Sequence, residues 1–110
     1  MKQKEKNQEI AAFIGHYAHW CAEVEKIRNT RGFNARLTDK NKKRQRALEV
    51  KYAYAQSGRY LYLYLLADRH GIFPVGSTVE ELEQDHENWC DIERKFKSLY
   101  RDEFGAEVFA

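Results

Sequence analysis

Proline occurs once in this chain of 110 residues, at Pro74. A proline inside a helix removes a backbone hydrogen bond and clashes with the preceding turn, so the long stretches on either side of Pro74 are free to run as uninterrupted helices. A sandwich or barrel would need many short strands divided by Gly- and Pro-rich turns, and such clusters are missing here. Charged residues make up 33% of the chain, which suits helices with one apolar face and one solvated face. The fold expected is all-α: an antiparallel three-helix bundle with long helices, built from one domain over residues 1–110.

The spacing of apolar residues locates those helices. At about 100° per residue, Ile10, Phe13, Ile14, Tyr17, Trp20, Cys21, Val24 and Ile27 share one arc of a helix over residues 10–28. Beside that arc runs a stripe of small residues, Ala11, Gly15, Ala18 and Ala22, which would let another helix approach closely. Gly32 and Asn34 interrupt the pattern, and Thr38 or Asp39 is placed to cap a second helix that continues to His70. Gly71 stops it, Pro74 stiffens the connection, and Ser77 with Glu80 or Thr78 with Glu81 forms a capping box for the third helix. There Val79, Leu82, His86, Trp89, Ile92, Phe96, Leu99, Tyr100 and Phe104 line one arc, ended by Gly105. Met1 to Gln8 and the last five residues are expected as frayed or docked ends.

The segment "RYLYLYLLADRHG" over residues 59–71 alternates Tyr and Leu like a strand. No other segment offers a partner run, and an isolated strand leaves its backbone groups unpaired, so the segment is expected to be helical, with Ser57-Gly58 as the place for a kink. With Leu61, Tyr62 and Leu65 facing the core, a second stripe remains on the reverse face: Ala53, Ser57, Tyr60, Tyr64 and Ala67. A contiguous apolar stripe on a soluble chain marks an interface, so this stripe is expected to meet a second copy in a two-fold homodimer.

Charge is divided unevenly. Residues 1–60 hold fourteen Lys/Arg against six Asp/Glu, and residues 61–110 hold five against eleven. In an up-down-up bundle the end of the first helix, the start of the second and the end of the third meet at one pole. That basic pole collects Arg28, Arg31, Arg36, Lys40, Lys42, Lys43, Arg44, Arg46, Lys97 and Arg101, together with Lys26, Arg94 and Lys95. Cations at a helix N-terminus oppose its dipole, so the run from Lys40 to Arg46 is unfavourable for the helix and invites an anionic partner.

Motifs for chemistry are weaker. "GIFPVGST" has the outline of a phosphate-binding loop but carries Ser77 where that loop needs lysine, and it follows a helix instead of a strand. His16, His19 and Glu23 could present two imidazoles and a carboxylate from one helix, and Glu83 with His86 has a spacing used by di-iron bundles, but the remaining ligands of such a site are missing. Cys90 lies one turn from His86 with no third group to orient the pair. No catalytic residue, metal or cofactor is therefore assigned, and His86 is expected as a hydrogen-bonded interior histidine. The first ten residues lack an apolar core for a signal peptide, and no run of about 18 uncharged apolar residues occurs. A cytoplasmic protein with reduced Cys21 and Cys90 and no membrane partner is expected.

The functional expectation is a small non-enzymatic binding protein, dimeric, that engages an acidic partner through its basic pole, with nucleic acid ahead of protein. The alternatives are a protein-interaction or regulatory module using the aromatic helix seam, and a metal-binding or enzymatic bundle.

Overall fold

The computed structural model describes residues 2–73 and 76–108. Three long α-helices follow one another: α1 (Gln3–Arg28), α2 (Lys42–His70) and α3 (Val79–Phe104). They form the all-α three-helix bundle that the periodicity predicts. Contacts at the helix ends establish the directions. Glu9 near the start of α1 meets Arg69 and His70 at the end of α2, at 3.1 and 2.9 Å, and Lys42 at the start of α2 lies 3.7 Å from Glu103 at the end of α3. Neighbours are therefore antiparallel. The expected stiffening by Pro74 and the last two residues of the C-terminal end lie outside the described residues.

α2 is the centre of the bundle. It packs against α1 on one side and α3 on the other, while α1 and α3 make no comparable approach to each other among the described residues. The result is an elongated body of 55 × 27 × 24 Å with a radius of gyration of 16.5 Å, against about 13 Å for a spherical domain of this length. This arrangement explains the Tyr–Leu segment. A helix covered on two sides must be apolar on two sides, and Leu63 and Leu66 in its middle are fully buried.

Two apolar clusters hold the layers together. Near the basic pole, Val24 and Ile27 of α1 meet Ala55 of α2, with Trp20, Phe33, Leu48 and Tyr52 packed around them. Towards the other end, Leu63 and Ala67 of α2 meet Leu82 of α3, joined by Tyr17, Tyr60, Tyr64 and Val79. The stripe assigned to a second copy is thus interior to the single chain: Ala53, Ser57 and Ala67 are buried and Tyr60 and Tyr64 half-buried. Its small residues admit α3, so it offers no free face to a two-fold mate. The stripe on α1 behaves in the opposite way, with Ala11, Gly15, Ala18 and Ala22 all exposed and Ile14 half-exposed.

Helix boundaries depart from expectation in two places. α1 begins at Gln3, seven residues early, because Lys, Gln and Glu are good helix formers that need no burial to continue a helix already nucleated. α2 begins at Lys42, after Thr38 and Asp39. Thr38 and Asn41 instead bond to each other, Thr38 N–H donating to Asn41 Oδ1 at 2.8 Å and Asn41 N–H to Thr38 Oγ1 at 3.3 Å. A closed turn then replaces the cap. The other ends match: Thr78 Oγ1 accepts from Glu81 N–H at 3.1 Å, and Gly71 and Gly105 end their helices with φ of 65° and 68°.

α2 runs through Ser57-Gly58 without a break. Gly58 serves packing there, because a Cβ on it would sit 2.6 Å from the Trp20 indole. The connection from α1 to α2 is tied down by the first turn of α2, where Gln45 donates to the Gly32 carbonyl and Arg44 to the Arg31 carbonyl at 2.7 Å.

Candidate functional site

Because α1 and α3 flank α2 without closing over it, one face of α2 stays open near the basic pole. The result is a groove of about 1010 Å³ between the C-terminal half of α1 and the N-terminal half of α2, with Lys97 of α3 on its far rim. Ile27, Ala47, Leu48 and Ala55 form an apolar floor, while Trp20 and Tyr54 wall one end. Their rings meet edge to face at 5.2 Å, and Tyr54 remains 46% exposed. Four cations, Lys26, Arg44, Lys51 and Lys97, surround this floor, and Glu23 is the one carboxylate among the lining residues.

The helical register puts these side chains together. Ala47, Lys51, Tyr54, Ala55 and Gly58 lie on one face of α2, and Gly58 lets the Trp20 indole settle against the backbone. His19 packs its ring on the edge of Trp20 at 4.9 Å and lines the same groove, whereas His16 stacks on Tyr62 at 4.8 Å. The two histidines therefore face different neighbours, and among the described residues no group of three or more His, Cys, Asp or Glu is placed to hold a metal.

Of the ten cations assigned to the basic pole, Arg44 and Lys97 line the groove and the other eight do not. Arg28 turns to the opposite face, donating to the Tyr52 hydroxyl at 3.1 Å. Lys42 and Arg46 converge on Glu103, each at 3.7 Å, and Arg46 also meets Glu49 at 2.9 Å. Lys97 lies 2.8 Å from Glu93, and Arg101 lies 3.8 Å from Glu107. Lys43 sits over the Phe104 ring at 5.9 Å, and Arg31, Arg36 and Lys40 are exposed on the connecting segment. Carboxylates from α2, α3 and the residues after α3 thus offset part of the pole. Trp20, expected on the apolar arc of the first helix, and Tyr54 are the aromatic residues of the groove; Lys51, one turn from both Ala47 and Tyr54, is the sequence signal that marks this face.

His86 is half-buried, and its Nδ1 donates to the Ser57 carbonyl at 3.0 Å, leaving Nε2 3.7 Å from the Cys90 sulfur. Burial first, then the neighbouring Glu93 carboxylate, pushes the Cys90 thiol above its ordinary pKa. A thiol held in its protonated form is a poor nucleophile. A smaller groove of about 550 Å³ is lined by Phe33, Leu37, Tyr52, Trp89 and Phe96, with Glu49 in its lining and Arg28 bonded to the Tyr52 hydroxyl. No helix among the described residues is long and apolar enough to cross a membrane. No protein-family model, curated protein or solved structure matches this chain.

Proposed function

We propose that this protein is a non-enzymatic binding module that engages a polyanionic partner, nucleic acid ahead of acidic protein, through the groove between α1 and α2. The observation that carries this reading is the ring of Lys26, Arg44, Lys51 and Lys97 around an apolar floor with an exposed aromatic wall. Cations in a concavity with low-dielectric walls attract anions more strongly than the same charges on a convex surface. A purely apolar ligand would leave them without a role. The reading narrows the expected basic pole to the groove cations, since Glu49, Glu93 and Glu103 offset part of the remaining charge.

The test is equilibrium binding of a fluorescently labelled oligonucleotide across a salt series. Two to four phosphate contacts give a slope of log K against log salt of about −1.4 to −2.8 on a single strand. Replacing Lys26 and Lys51 together by alanine should flatten that slope by about 1.4. Binding that is absent at low salt, or that ignores both substitutions, would refute the reading.

A further inference from the structure

The smaller groove differs in chemistry from the cationic one, and its ligand is independent of the polyanion reading. We propose that it binds a small, uncharged aromatic molecule carrying one hydrogen-bond donor, which Gln45 Oε1 accepts. Gln45 lines this groove and is only 6% exposed. Its Nε2 donates to the Gly32 carbonyl, and that bond sets the orientation of the amide, since a carbonyl can take only a donor. Oε1 is left as an acceptor with no partner within the described chain. It is not sealed off either: the fully buried, unpartnered side-chain atoms among the described residues belong to Arg46, Arg59 and His70. A purely apolar guest would displace solvent from Oε1 and strand it, at a cost that a guest with a donor avoids.

The remaining lining selects the rest of the guest. Three segments supply it: Phe33 and Leu37 from the α1–α2 connection, Tyr52 from α2, and Trp89 and Phe96 from α3. The Phe33 and Tyr52 rings meet at 5.3 Å and 56°, and Tyr52 and Trp89 at 5.7 Å and 84°. Rings set at angles to one another suit a flat aromatic guest, which gains edge-to-face contacts, whereas a flexible chain gains area and loses rotamer freedom. The volume of about 550 Å³ is within the range of about 300–1,000 Å³ common to small-molecule sites. Leu37, 44% exposed, adds apolar surface for a guest to cover. Charge is disfavoured in both signs. Both carboxylate oxygens of Glu49 accept from Arg46 Nη1, at 2.9 and 3.1 Å, and the Arg28 guanidinium lies 5.8 Å from the Tyr52 ring centroid. A cation would find the carboxylate taken, and an anion would meet Glu49 and the amide oxygen. The Tyr52 hydroxyl already accepts from Arg28 and Gln56, at 3.1 and 2.9 Å, so the guest's donor goes to Gln45.

The experiment titrates the intact chain by calorimetry with indole, which has the ring N–H, and with benzofuran and 1-methylindole, which have the same shape without it. Indole should bind at millimolar concentration or below, and about fivefold more tightly than either analogue. Amide shifts on adding indole should cluster on residues 33–37, 45–52 and 89–96. Gln45→Met, checked by circular dichroism, should bring indole down to the benzofuran level and leave benzofuran unchanged; if that variant does not fold, the three ligands on the unaltered chain decide. Equal binding of indole and benzofuran would overturn the proposal, as would no binding of indole or shifts centred on Trp20 and the cationic groove. Indole affinity that falls with rising protein concentration, as light scattering reports association, would assign the groove to a second copy and overturn it too.

Discussion

Gly58 of α2 lies so close to Trp20 of α1 that a Cβ at residue 58 would fall 2.6 Å from two indole carbons. In an exposed helix a Gly→Ala change gains about 1 kcal/mol, but here the indole must move, and overpacking costs about 1–3 kcal/mol. Gly58→Ala should therefore bring no gain and destabilise the protein by up to about 2 kcal/mol in urea unfolding. Because Trp20 braces the groove wall, the variant should also shift tryptophan emission in the Trp89→Phe background. Greater stability with unchanged emission would contradict the packing described.

The stripe running from Ala53 to Ala67 yields a different outcome from that of a dimer interface. Ala53 has no exposed surface, so Ala53→Leu should destabilise the fold by about 1–3 kcal/mol. Leu63→Ala, in the adjoining cluster, should cost about 2–5 kcal/mol. Light scattering at several concentrations separates the two cases. Substitutions that only changed the oligomeric state, with unfolding midpoints intact, would restore the interface reading.

Much of the fold is legible in the sequence because helix periodicity is a local property. α3 begins and ends where Thr78 and Gly105 place it, and Gly71 ends α2. What periodicity cannot state is which neighbour each face meets. The Tyr60–Tyr64 stripe and the Ala11–Ala22 stripe read alike as surfaces for close packing, yet α3 covers the first and the second is exposed. Their exchange depends on tertiary placement alone. Charge pairing is hidden from the sequence for a related reason: Lys42 and Arg46 are remote in sequence from Glu103, and only the antiparallel pairing of α2 with α3 brings them together.

Cys90 should respond to pH in a defined direction. Its pKa in the folded chain is raised, chiefly by burial. The proton is therefore bound more tightly in the folded state than in the unfolded one. The corresponding stabilisation is fully present below the unfolded thiol pKa of about 8.5 and is lost as pH rises through the folded value. In a Cys21→Ser variant, alkylation of Cys90 by iodoacetamide at pH 8.5 should be slower in the folded protein than in urea. Faster alkylation in the folded state would show an activated thiol.

Pairing predicts unequal roles among the cations. Lys42 and Arg46 are engaged by Glu103, and exposed or half-exposed ion pairs of this kind contribute about 0–1 kcal/mol. Replacing both with alanine should weaken oligonucleotide binding less than replacing Lys26 and Lys51, the two groove cations, by about an order of magnitude in affinity at 50 mM salt. The opposite order would move the site from the groove to the start of α2.

Backbone amide shifts recorded by nuclear magnetic resonance during titration with an oligo-thymidine strand would locate the contact without any mutation. The groove account predicts perturbations clustered on residues 19–30 of α1 and 44–55 of α2, with Lys97 as the one cluster member on α3. Perturbations centred on the opposite end, around Glu9 and His70, or on the apolar groove beside Trp89, would contradict it.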